Sequence, residues 1–178
     1  TAGEKGQATA CESLGHLYLD GTGVKQDDSH AVALWRRACD GGALGGCYSL
    51  GWMYENGNGV EPDIGQAVAL YRKACDGEDA RGCNSLGWIY KNGNGVARDD
   101  AKAVALFQKA CEGGLLLGCN NLGWMYEDGR GISQDKKQAV KLYKQACDGR
   151  ELFGCSNLGA MYLSGDGVKK DAFQAADL

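Results

Sequence analysis

The chain has 178 residues, 44% hydrophobic and 24% charged, with a formal net charge of −4. Such a composition is ordinary for a soluble globular protein, and its acidic balance argues against nucleic acid or an acidic membrane surface as a partner. No apolar run approaches the roughly 20 residues that a membrane-spanning helix needs. No charged-then-apolar leader precedes Cys11, so an export signal is expected to have been removed or never present. Two features are unusual: 29 glycines beside a single proline, Pro62, and nine cysteines, many for a protein kept in a reducing cytosol.

The cysteines organise the chain. They stand at positions 11, 39, 47, 75, 83, 111, 119, 147 and 155, so gaps of 28 and 8 alternate and sum to a period of 36. A fixed period of this size signals stacked supersecondary units. Leu14-Gly15 recurs as Leu50-Gly51, Leu86-Gly87, Leu122-Gly123 and Leu158-Gly159. Tyr18 recurs as Tyr54, Tyr90, Tyr126 and Tyr162, and Gly21-x-Gly23 recurs at Gly57, Gly93, Gly129 and Gly165. Five copies follow, at about 8–43, 44–79, 80–115, 116–151 and 152–178. The last is cut short within Phe173–Leu178, as in a segment excised from a longer protein.

Each copy predicts two helices. In the copy that starts at Cys47, the residues Cys47, Leu50, Gly51 and Tyr54 share one helical face. Gly57 and Gly59 then stop the helix. Asp63 caps the next one, with equivalents at Asp27, Asp99, Asp135 and Asp171. The second helix presents Ala67, Leu70, Tyr71 and Ala74, and Asp76-Gly77 ends it. Gly51 and Ala67 allow close helix approach while Leu50, Tyr54, Leu70 and Tyr71 fill the space around them. No segment alternates with period two, so no sheet is expected. A lone hairpin cannot bury both faces, so the copies must stack. The expected fold is all-α: one solenoid domain over 1–178, a right-handed α/α superhelix of about five 36-residue units.

The pattern Cys-x-x-Leu-Gly-x-x-Tyr-x-x-Gly-x-Gly-Val, then Asp, then Ala-Val-x-Leu-Tyr-x-x-Ala-Cys, resembles the Sel1-like repeat, a relative of the tetratricopeptide repeat. The cysteine pair resembles the Helicobacter cysteine-rich branch of that family. Spacing leaves two pairings open. Cysteines 28 apart would close each hairpin, and cysteines eight apart would join consecutive units. Loop entropy separates them by only about 3.5 against about 2.5 kcal/mol. The resemblance implies the shorter one: Cys39–Cys47, Cys75–Cys83, Cys111–Cys119 and Cys147–Cys155. Gly3 stands where a partner of Cys11 would be, so Cys11 is expected as a free, buried thiol. Disulfides place the chain in a bacterial periplasm or outside the cell, with a mitochondrial intermembrane space as the alternative.

Little else suggests chemistry. Zinc needs about four convergent ligands, and His16 and His30 join no such set, so no metal or cofactor is expected. The Gly-x-Gly loops lack the order and preceding strand of a phosphate loop and read as helix stops. Ser133-x-x-Lys136 matches the Ser-x-x-Lys of penicillin-interacting enzymes, and the resemblance implies a link to β-lactamase activity or penicillin binding. The companion Ser-Asp-Asn and Lys-Thr-Gly motifs do not occur, and Ser133 reads as a loop residue. Asp27-Asp28 and Asp99-Asp100 suit helix starts, where carboxylates meet the positive end of the dipole.

The remaining signal is a tryptophan series. Trp52, Trp88 and Trp124 follow the Leu-Gly of successive first helices, with His16 and Ala160 at that position in the end copies. At 100° per residue they lie opposite the core stripe. They share a face with Tyr48, Glu55 and Asn56, with Asn84, Lys91 and Asn92, and with Asn120, Glu127 and Asp128. First helices line the concave side of such solenoids. The indoles therefore either fill space between neighbouring first helices or line an open groove. In the second reading the asparagines hydrogen-bond an extended peptide, and Glu55, Glu127 and Asp128 favour a partner with some positive charge. The function expected is a non-catalytic, monomeric secreted or periplasmic scaffold for a protein or peptide. The alternative is a peptidoglycan or other glycan ligand, or weak β-lactamase-like activity.

Overall fold

The computed structural model describes residues 2–177. Among them are ten α-helices and no strand. The first helices of the hairpins are α1 (Ala2–Asp20), α3 (Leu44–Asn56), α5 (Ala80–Asn92), α7 (Leu116–Asp128) and α9 (Leu152–Ser164). The second helices are α2 (Asp28–Asp40), α4 (Ile64–Asp76), α6 (Asp100–Glu112), α8 (Lys136–Asp148) and the short α10 (Ala172–Ala176). The expected all-α hairpin repeat is the fold observed. α1 begins at Ala2, well before the stripe that opens at Cys11. The chain forms two compact units, Thr1–Gly82 and Cys83–Leu178.

The predicted caps all form. Asp27, Asp63, Asp99 and Asp135 have extended backbones and accept a hydrogen bond from the amide three residues on; Asp171 does the same from Phe173 and Gln174. Each of these aspartates also donates its own amide to the repeat tyrosine carbonyl, Asp63 to Tyr54 and Asp135 to Tyr126, both at 3.0 Å. The seven-residue connection between the helices, 57–63 in the second hairpin, is thereby closed at both ends.

The two glycines of each Gly-x-Gly loop divide the work. Gly57, at φ 71°, is the left-handed C-cap whose amide donates to the Met53 carbonyl. Gly59, at φ 64°, lies against the start of α2, where a Cβ would stand 2.5 Å from the carbonyl carbon of Asp28. In the second unit Gly131 makes the same approach to Asp100 and Gly167 to Lys136. The second glycine is therefore an inter-repeat contact as well as part of a stop. The glycines that end the second helices stop them without a positive φ: Gly77 has φ −85°. A Cβ on Gly77 would instead meet the Leu44 methyls at 2.5 Å.

The glycine of each Leu-Gly pair makes room for a ring. A Cβ on Gly51 would stand 2.9 Å from the Tyr71 ring, on Gly87 2.7 Å from Phe107, and on Gly123 2.8 Å from Tyr143. Those three rings are fully buried. Core assignment shifts by one residue in the first helices. Met53, Met125, Ile89 and Met161 are the enclosed side chains, whereas Tyr54 is half-buried and its hydroxyl accepts from Arg36 at 2.6 Å.

Cys39–Cys47, Cys111–Cys119 and Cys147–Cys155 are disulfides with Cα atoms 4.4–4.5 Å apart. Cys75 and Cys83 are disulfide-bonded as well. The eight-apart register is thus the one adopted, and closure within a hairpin is not. It depends on Gly46, Gly118 and Gly154, one residue before a bridging cysteine. A Cβ there would stand 2.5–2.7 Å from the Cβ of Ala38, Ala110 or Ala146. Cys11 is the free cysteine, and it is half-exposed rather than buried.

Candidate functional site

Each unit has a depression on its first-helix face. In the first unit His16, Leu19, Trp35, Tyr48, Ser49 and Trp52 line about 200 Å³. Trp52 remains 37% exposed. The His16 ring meets Trp35 edge-on at 5.1 Å, and Trp35 donates its indole N–H to the Glu12 carbonyl at 3.1 Å. The Arg81 guanidinium lies 4.8 Å from the Tyr48 ring centroid and donates two hydrogen bonds to Asp79, at 2.6 and 3.1 Å. That carboxylate holds the Arg81 pKa above its usual value.

The larger depression is in the second unit. Trp88, Lys91, Leu117, Asn120, Asn121, Trp124, Phe153 and Asn157, from α5, α7 and α9, line about 560 Å³. Trp88 is 36% exposed and Phe153 66%. The floor is an asparagine ladder. Asn121 donates to Asn84 Oδ1 and Asn157 donates to Asn120 Oδ1, both at 2.8 Å. Asn84, Asn120 and Asn121 are buried, where a paired amide is tolerated and an unpaired one costs free energy. The ladder ties α5 to α7 and α7 to α9.

The Lys91 ammonium sits 4.0 Å from the Trp88 ring centroid and 4.4 Å from that of Trp124. The Arg130 guanidinium lies 4.9 Å from the Trp124 centroid. Burial, then the nearby Arg130 charge, lowers the Lys91 pKa from the ordinary lysine value. Asp100 takes Arg98 at 2.6 Å and Arg130 at 3.6 Å, and chiefly the Arg98 hydrogen bond pulls its pKa down.

The residues of the expected binding face therefore separate. Trp88, Asn120 and Trp124 line one cavity, and Asn84 lies beneath it as part of the ladder. Tyr48 and Trp52 belong to the smaller depression. Asn84 and Asn120 are not the open hydrogen-bonding groups expected, because burial commits them to neighbouring amides. Glu55 and Glu127 are not free carboxylates either: Tyr71 and Tyr143 donate their hydroxyls to them at 2.7 and 2.6 Å. Asn56 is exposed and bonds the Trp52 carbonyl. Asn92 and Asp128 are exposed and do not line the cavity. Lys91 lies on the expected face, but sequence reasoning did not single it out. It also missed Leu117, Asn121, Phe153 and Asn157. The signal available was their place one or three residues from the Asn and Trp positions, on the same helical face.

Ser133 is an exposed loop residue. Lys136 is paired with Asp166 at 2.8 Å, which raises the lysine pKa, opposite to what a general base requires. Among the described residues no His, Cys, Asp and Glu cluster could hold a metal ion, and no helix is long and apolar enough to cross a membrane.

The Sel1 repeat matches the chain at residues 8–42, 45–79, 80–115, 116–150 and 153–178. No curated protein matches it. Among solved structures, a protective antigen present in uropathogenic Escherichia coli strains, with an SLR fold, is 34% identical with TM-score 0.87. That alignment covers 98% of this chain, which spans 37% of the length of that antigen. A Sel1 repeat protein from Oxalobacter formigenes is 26% identical over 98% of this chain and 69% of its own, with TM-score 0.90. The Helicobacter pylori cysteine rich protein B is 32% identical over 78% of this chain and 99% of its own, with TM-score 0.61. The disulfides mark an oxidising environment. The chain belongs to the Sel1 repeat family, whose members are generally non-catalytic scaffolds for protein partners.

Proposed function

We propose that this protein is a monomeric scaffold, secreted or periplasmic, that binds an extended peptide segment of a protein partner across its first helices. The observation that carries this reading is the 560 Å³ cavity walled by two solvent-reached indoles and Phe153. Exposed aromatic walls with a polar floor are suited to burying an anchor side chain, and tryptophan is prominent among residues that dominate binding energy. The disulfides and the asparagine ladder support it, because a pre-ordered surface loses little entropy on binding.

The test is selection of displayed peptides on the disulfide-intact protein, followed by titration of the best binders. Trp88→Ala with Trp124→Ala is expected to abolish binding, while Lys141→Ala, on an exposed second-helix position, leaves it unchanged. Selected peptides that bind the double variant normally overturn the reading. So does retention on purified peptidoglycan that depends on both tryptophans when no displayed peptide does. Fractionation of the native cells, with the protein found only among reduced cytosolic proteins, would overturn the compartment.

A further inference from the structure

We propose that the cavity of the second unit selects an acidic peptide, with an apolar side chain between Trp88, Leu117, Trp124 and Phe153 and a neighbouring Asp or Glu carboxylate on Lys91. This rests on the peptide-binding reading and adds the chemistry of the partner.

Two of the cations that stand over these aromatic rings already have a counter-ion. Arg81 stands over Tyr48 but is closed off by Asp79. Arg130 stands over Trp124 and shares Asp100 with Arg98. Lys91 makes no ion pair among the described residues; its contacts are the two indole faces. A ring face attracts an ammonium but takes none of its three hydrogen bonds. Lys91 is the charged residue among those that line the cavity, and the nearby Asp100 is already held by Arg98 and Arg130. Partial burial and the Arg130 charge both disfavour the Lys91 cation, and the attraction of an incoming carboxylate offsets them.

The repeats supply an internal control. Glu55 and Glu127 occupy the positions equivalent to Lys91, and each accepts a hydrogen bond from a tyrosine on its own second helix. In the repeat that carries Lys91 the tyrosine is replaced by Phe107, which has no hydroxyl and meets Trp88 edge-on at 5.9 Å. This repeat has lost the internal pair and turned a cation toward the cavity. The charge there is opposite to the one that Glu55, Glu127 and Asp128 suggest when read along the chain.

The experiment selects a random peptide library displayed as an internal segment, with no free terminus, on the disulfide-intact protein. Enriched peptides are expected to place Asp or Glu beside Trp, Phe or Leu. For a synthetic winner, acetylated and amidated, Lys91→Glu is expected to weaken binding about tenfold or more, the usual scale for losing a partly desolvated charge pair. Changing the peptide Glu to Gln should do the same, and the two changes together should cost less than their product. Lys91→Glu with Phe107→Tyr rebuilds the pair of the sister repeats and guards against a folding defect; binding should stay weak while helicity and melting match the wild type. Winners that need Trp88 and Trp124 but are basic, or indifferent to Lys91→Glu, overturn this inference and leave the broader reading standing. A parallel library with free C-termini that outcompetes the internal one overturns it in favour of a chain end. Winners that need neither tryptophan overturn both.

Discussion

Replacing Tyr143 by Phe removes one hydroxyl from a fully enclosed ring and nothing else. In the wild type that hydroxyl donates to Glu127 Oε2 at 2.6 Å, and the ring fills the space left by Gly123. A hydrogen bond to a charged group contributes about 1.5–3 kcal/mol. Glu127 is only half-buried, so water rehydrates the released oxygen and the cost falls at the low end, about 1.5 kcal/mol. Urea denaturation followed by far- and near-ultraviolet circular dichroism measures it. A cycle with Glu127→Gln isolates the pair, and Phe107→Tyr, which faces Lys91 instead of a carboxylate, should give no matching gain. The same bond has an alkaline signature. Burial, then Glu127, holds the Tyr143 pKa far above its usual value. A raised pKa contributes stability that is fully present below about pH 10, the unfolded phenol value, and is lost as pH rises beyond it. Tyr143→Phe should therefore flatten the loss of stability above pH ~10. A coupling energy below about 0.3 kcal/mol, the usual limit of additivity, together with an unchanged alkaline limb, would refute the reasoning.

Gly123→Ala and Gly159→Ala should have opposite signs. The first puts a methyl 2.8 Å from the Tyr143 ring, overpacking worth about 1–3 kcal/mol of destabilisation. The second meets only the Ala175 carbonyl oxygen at 3.6 Å and should raise the melting temperature, since Ala exceeds Gly in a helix by up to about 1 kcal/mol. Removing Cys111 and Cys119 together should cost about 2.5 kcal/mol by loop-closure entropy, read from the shift in urea midpoint. Thiol titration of the unfolded, unreduced chain should find Cys11 alone reactive, and two or more reactive thiols would contradict the pairing. Asp100–Arg130 and Lys136–Asp166 join equivalent positions with opposite polarity. Lys136→Asp should lower the melting temperature at low salt, and adding Asp166→Lys should recover part of the loss.

The period of 36 gives hairpins of equal length, and the Asp caps and left-handed Gly57, Gly129 and Gly165 set where helices start and stop. These are local matters of backbone conformation and of the nearest amide, so they are legible from residue type and spacing. The eight-apart disulfides were not decided by spacing, because loop entropy barely distinguishes them. They follow from the close approach of Gly46 to Ala38 and of Gly118 to Ala110. A glycine before a bridging cysteine is visible in the chain, but its meaning depends on the helix opposite.

The candidate site was half legible. Helical periodicity put Trp88, Trp124 and Asn120 on one face, because 100° per residue depends on nothing beyond the helix itself. It could not show that Asn120 and Asn84 are spent on Asn157 and Asn121, or that Tyr143 occupies Glu127. Those partners stand 16 to 37 residues away, and hydrogen bonds are exchanged between whichever groups packing brings within about 3 Å. The sequence by itself determined the helices, their caps, the five-fold repetition and the aromatic face. Tertiary structure alone decided which polar groups on that face are satisfied and that Lys91 stands over two indoles with no ion pair among the described residues, because charge compensation is a property of neighbours in space.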